Sequence, residues 1–174
     1  MSIWSRLQRA WQDRQEVAAL RRRPIPDKLW RRTLKRFPFL GDGGPGEEER
    51  LRRMTSLFLD RKEFTGAHGL TVTDDMAVAI AAQACLPVLE RGLSAYDAFV
   101  GIVVHPGQAR VWRERVDHDG VVHAREETLS GETVLGGPVM LSWRDVRASG
   151  ATAQEGYNVV IHEFAHVLDL ADGL

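Results

Sequence analysis

Apolar residues recur at helical spacing through the first third of the chain and give way to β-branched and aromatic clusters in its middle. Ile3, Leu7, Trp11 and Val17 or Ala18 form one stripe in "SIWSRLQRAWQDRQEVAALRRR", which predicts an amphipathic helix stopped by Pro24 and Pro26. "PDKLWRRTLKRF" predicts a second, shorter helix. Leu29, Trp30 and Leu34 form its inner face, and Pro26 and Asp27 suit its first turn. Beyond the flexible break "GDGGPG", "EEERLRRMTSLFLDRK" opens on acids and closes on Arg61 and Lys62, an order that complements the helix dipole. Leu51, Met54, Leu57 and Phe58 make its buried stripe.

Leu70–Val72 reads as a short strand leading into a helix that Thr73 caps. From Met76 to Leu89 only Gln83 is clearly polar, so this helix belongs inside a core, and Pro87 kinks or ends it. Gln83 is expected to be a core amide satisfied by backbone rather than an active-site group. "AFVGIVVHPG", "ARVWRERVD", "VVHAREETL" and "PVMLSW" then predict strands, with "HDG" as a turn. The final "YNVVIHEFAHVLDLAD" predicts a helix in which Val160, Ile161, Phe164, Val167 and Leu168 are buried. Helices combined with four or five strands give an α+β class.

Composition adds limits rather than detail. The 174 residues, 44% hydrophobic and 27% charged, suit one soluble domain with its own core. The lone cysteine, Cys85, excludes an internal disulfide and fits a reducing compartment. Neither a secretory leader nor an apolar run long enough for a membrane span is legible, so a cytoplasmic protein with no membrane partner is expected. Arg21–Arg36 carries eight Lys/Arg and one Asp, a local +7 in a chain of net −1. With no nucleic-acid motif beside it, this block reads as a solvated face rather than a direct nucleic-acid contact.

His162, Glu163 and His166 form an H-E-x-x-H pattern on the last predicted helix. Residues four apart share a helix face, so His162 and His166 can offer two imidazole nitrogens to one tetrahedral Zn²⁺. Glu163 sits beside that face as the general base, taking a proton from an activated water and delivering it to the leaving amine. A catalytic zinc needs a third protein ligand. Asp172 has the right offset but lacks the glycine turn that usually delivers it, because Asp169 stands there. Asp169 shares the histidine face and suits orienting His166. His105 and His123 fall on predicted strands, where structural roles are more usual.

Three blocks, "FLDRKEFTGAHGLTVTDDMAVAIAAQACLPVL", "GPVMLSWRDV" and "GYNVVIHEFAHVLDLADG", together resemble the Mlc titration factor A (MtfA) family of bacterial zinc peptidases. The resemblance runs from about Pro24 to the end. It divides the chain into an N-terminal helix, 1–23, and a zincin-like peptidase domain, 24–174. It implies N-terminal helices and a small mixed sheet packed on the H-E-x-x-H helix, with zinc on His162 and His166 and Glu163 as general base. Aminopeptidase-type cleavage of peptide substrates is the implied activity. The alternative is a regulatory protein that sequesters a glucose-transport transcription repressor of the Mlc type without needing proteolysis, and an inactive fragment is the third reading. A strand edge in "PVMLSW" is expected to hold the substrate backbone. The family's third zinc ligand is a glutamate well downstream of the motif helix, so the chain is expected to be C-terminally truncated.

Overall fold

A computed structural model describes residues 14, 16–107, 109–116, 122–129, 131–133, 137–152 and 157–171. Residues 16–22 are helical. Ala19 is the residue they bury, while Val17 is exposed, so the end of the first apolar stripe is shifted from the expected one. Its start at Ile3, Leu7 and Trp11 lies outside the described residues. Arg22 pairs with Asp60 at 2.7 Å and Arg53 with Glu16 at 2.6 Å, which ties this helix to the third one along the chain.

Helix α1 (Asp27–Arg36) starts after Pro26, whose φ of −61° is already set for a helix entry. Its inner face is Leu29, Trp30 and Thr33, and the Trp30 Nε1–H donates to Glu48 Oε1 at 2.9 Å. Asp27 in its first turn pairs with Arg52, and Arg32 pairs with Asp75. Lys28, Arg31, Lys35 and Arg36 are exposed, the solvated face expected of the basic block. Helix α2 (Pro45–Arg61) buries Leu51, Leu57 and Phe58 as its stripe predicts, together with Thr55 and Ser56. The Thr55 hydroxyl donates back to the Leu51 carbonyl at 2.7 Å, so its polarity is satisfied inside the core.

The chain then forms β1 (Glu63–Gly66), not the strand expected at Leu70–Val72. The reason is the turn between them. His68 and Gly69 adopt positive φ of 52° and 76°, and the Leu70 carbonyl lies 1.8 Å from where a Cβ on Gly66 would sit. Helix α3 (Asp74–Cys85) is capped by Thr73, whose Oγ1 accepts from the Met76 N–H at 3.4 Å. Every residue from Val78 to Cys85 is buried, and the helix tightens into a 3₁₀ turn, Leu86–Val88, at Pro87.

Two sheets follow. One runs in the order β1, β2 (Gly101–His105), β6 (Val139–Ser142), β5 (Gly131–Thr133). β1, β2 and β6 are parallel, and β5 is antiparallel to β6. β6 is therefore paired on both sides, which corrects the expectation that "PVMLSW" is an edge; β1 and β5 are the edges. The second sheet is the antiparallel hairpin β3 (Ala109–Val116) and β4 (Val122–Leu129), and the "HDG" turn joining it lies outside the described residues. Ile102, Val104, Val139 and Leu141 are buried in one core with the helices, confirming an α+β class. Among the described residues, no helix is long and apolar enough to cross a membrane.

Helix α4 (Trp143–Thr152) follows β6 directly and was not expected, because Val146 is its only fully buried apolar residue. It approaches the end of α1 so closely that a Cβ on Gly150 would sit 2.3 Å from the Arg36 carbonyl oxygen. Gly150→Ala should therefore destabilise the protein by about 1–3 kcal/mol despite the better helix propensity of alanine. Gly46→Ala, where nothing lies within 4 Å, should not. Urea unfolding of both variants checks this.

Candidate metal centre

Helix α5 (Val159–Ala171) carries the H-E-x-x-H pattern. Asn158 starts it, because its Oδ1 accepts the Ile161 N–H at 3.0 Å and its carbonyl accepts the His162 N–H at 2.9 Å. Val159, Val160, Phe164 and Val167 form the buried face, while the expected Ile161 and Leu168 are only half-buried. Phe164 enters an aromatic cluster, with ring centroids 5.1 Å from Tyr96, 5.5 Å from Phe99 and 5.9 Å from Phe58. Edge-on contacts of this kind fix orientation as well as burying area. The cluster is itself held: the Tyr96 hydroxyl donates to the Ala84 carbonyl at 2.8 Å, and Lys62 Nζ donates to the carbonyls of Tyr96 and Phe99 while sitting 4.1 Å from the Phe99 ring centroid. Burial lowers the Lys62 pKa, and its neighbour Asp97 works against that shift.

With Phe164 turned inward, His162 and His166 face outward and are exposed. Their Nε2 atoms are 3.2 Å apart and their rings 4.6 Å apart, nearly perpendicular at 81°. Two nitrogens each about 2.0–2.1 Å from a tetrahedral zinc lie about 3.3 Å from each other, so the pair fits such an ion by both chemistry and spacing. Glu163 is 5% exposed, on the flank of the helix between the histidine face and the core. Tyr157, half exposed, has its ring 6.1 Å from that of His162.

Of the other sequence-derived ligand candidates, the two whose side chains are described, Asp169 and His105, do not join this pair. Among the described residues, no group of three or more His, Cys, Asp or Glu side chains is placed to hold a metal. Asp169 is exposed and, among the described residues, makes no hydrogen bond to His166. Asp172 lies outside the described residues. For His123 only the backbone is described, opposite Arg115 in the hairpin. His105 ends β2 with its ring 5.4 Å from that of His68, and both its ring nitrogens are sealed from solvent with no hydrogen-bond partner among the described residues. Cys85 is fully buried, and burial pushes its thiol pKa upward, so it offers no accessible thiolate.

Gln83 is fully buried and satisfied by backbone as expected, its Nε2 donating to the Ala79 carbonyl at 2.9 Å. Its Oε1 also accepts from Asn158 Nδ2 at 2.8 Å, a link to α5 that the sequence reading missed. Asn158 alone was findable, as an N-cap residue just ahead of an apolar helical run.

His162 and His166 are thus an exposed pair on α5, with the nearly buried Glu163 beside them. The chain matches the family described as glucose-regulated metallo-peptidase M90 over residues 8–174 and belongs to it, the family of Mlc titration factor A. It is 35% identical to Mlc titration factor A of Klebsiella pneumoniae over 144 residues, covering 83% of this chain and 53% of that protein. Against Mlc titration factor A of Cronobacter sakazakii it is 33% identical over 150 residues, 86% and 54% of the two chains. An uncharacterised protein of Synechocystis sp. is 36% identical over 166 residues, 94% and 58%. The chain thus spans little more than half the length of the curated relatives it matches.

His105 gives this region a pH signature. Burial, then the neighbouring His68, depresses its pKa below the ordinary 6.5. The stability it contributes as a neutral ring is present above pH 6.5 and lost as pH falls through its lower folded value. His105→Phe should therefore lose less stability than wild type between pH 8 and pH 5, as read from urea midpoints at the two values.

Proposed function

We propose that the chain carries the catalytic helix of a zincin-like, zinc-dependent metallopeptidase of aminopeptidase type, working in the cytoplasm on peptide substrates. The observation that carries the reading is the 3.2 Å convergence of His162 and His166 Nε2 on the exposed face of an otherwise buried helix. These two residues hold the zinc. When bound, zinc supplies a Lewis acid that lowers the pKa of water and polarises a carbonyl. Glu163 takes the proton of the attacking water and returns it to the leaving amine. Of the two edge strands, β5 is the one that packs against α5, so the substrate backbone adds to β5 as a further strand.

The third ligand is the glutamate that the family resemblance puts beyond the motif helix. Membership of the metallo-peptidase family supports this reading.

A second reading has its own support in the name of the relatives, Mlc titration factor A. Here the chain sequesters a transcription repressor of the Mlc type, and hydrolysis is dispensable. One substitution separates the two. Glu163→Gln should lower peptide hydrolysis at least about 100-fold while leaving zinc content unchanged. Repressor capture, measured by pull-down with purified repressor, should persist. Hydrolysis at the wild-type rate in this variant would refute the role of Glu163.

A further inference from the structure

Asn158 and Gln83 form a polar chain through an apolar region. Asn158 is the N-cap of α5, and the bond from the His162 N–H to the Asn158 carbonyl is an i to i−4 bond of the first helical turn. Gln83 lies 75 residues earlier, in the last turn of α3, and is fully buried. The amide orientations are fixed at both ends by backbone groups of one polarity. The Ala79 carbonyl can only accept, so Gln83 Nε2 faces it and Oε1 faces Asn158. The Ile161 N–H can only donate, so Asn158 Oδ1 faces it and Nδ2 faces Gln83. Each end of the chain therefore dictates the other.

The position of this chain matters because of where the histidines sit. His162 lies in the first turn of α5 and His166 one turn deeper. Terminal turns fray, and the N-cap sets how often they do so. Fraying would carry His162 away while His166 stays in place, opening the 3.2 Å gap between their nitrogens. Tyr157 precedes the cap and is half exposed, so the cap is the first anchored point of the segment 157–162.

We infer that Gln83 and Asn158 are positioning residues for the metal ligand pair: Gln83 locks the Asn158 cap, and the cap keeps His162 in register with His166. This rests on the reading of that pair as a zinc site. Gln83 touches no ligand and acts through Asn158.

The test uses the whole chain and three variants: Gln83→Met, which keeps length and apolar volume, Asn158→Ala, and the double substitution. Amide hydrogen exchange is read on metal-free protein, and zinc affinity by competition with a chromophoric chelator. In Gln83→Met the Ile161 and His162 amides should exchange about tenfold faster, with Val167 unchanged, and zinc should bind about tenfold more weakly. The double variant should be no worse than Asn158→Ala alone, because both residues act through one bond.

Unchanged exchange at His162, equal acceleration along all of α5, or faster exchange with wild-type zinc affinity would each overturn the inference. The two readings fail differently. If no version binds zinc but His162 exchange responds as stated, the zinc reading fails, the metal-positioning role falls with it, and only the lock of Gln83 on the Asn158 cap stands. If all versions bind zinc equally and exchange is unchanged, the positioning role fails and the zinc reading stands.

Discussion

The burial of Phe164 is the contact on which the site depends. A helix has one rotational freedom about its axis, and a large aromatic packed among Tyr96, Phe99 and Phe58 removes it. Truncating such a residue to alanine typically costs about 3–5 kcal/mol, far more than any surface contact could offset. Once Phe164 is inward, 3.6 residues per turn put His162 and His166 outward and Glu163 on the flank. The core thus determines which side of α5 meets solvent. Lys62 takes part at a distance, because its ammonium ties down the segment that supplies Tyr96 and Phe99.

The sheet contributes the second constraint. β5 runs antiparallel at the edge, beside α5, while the interior strands β2 and β6 are committed on both sides. Among the described residues, β5 pairs with β6 on one side only. A family of metallo-peptidases, an exposed histidine pair and an adjacent strand edge are consistent with one another at three levels: chemistry, packing and relatedness.

Much of this was legible in the residues because apolar spacing decides it. The stripes of α2 and α5 name most of their buried faces, with Met54, Ile161 and Leu168 only half-buried; α3 is apolar all round and buried, and Pro87 marks where it stops. What escaped lacked such a stripe. "EFTG" has one large apolar residue in four, so β1 was invisible beside the more strand-like "LTV". Helix α4 packs through Val146 and a bare Gly150, and close approach of a glycine leaves no apolar pattern to read. At the site, H-E-x-x-H was readable because both ligands lie within one turn. The bond from Gln83 to Asn158 joins residues 75 apart, and nothing local in either segment announces it.

The central claim is that His162 and His166 together hold the metal. It is tested most directly by following the histidine side-chain ¹⁵N resonances of the whole chain while zinc is added. The Nε2 signals of His162 and His166 should shift together and saturate at one equivalent, with His105 unmoved because its nitrogens are sealed. No shift at either residue, or a shift at only one of them, would contradict the account.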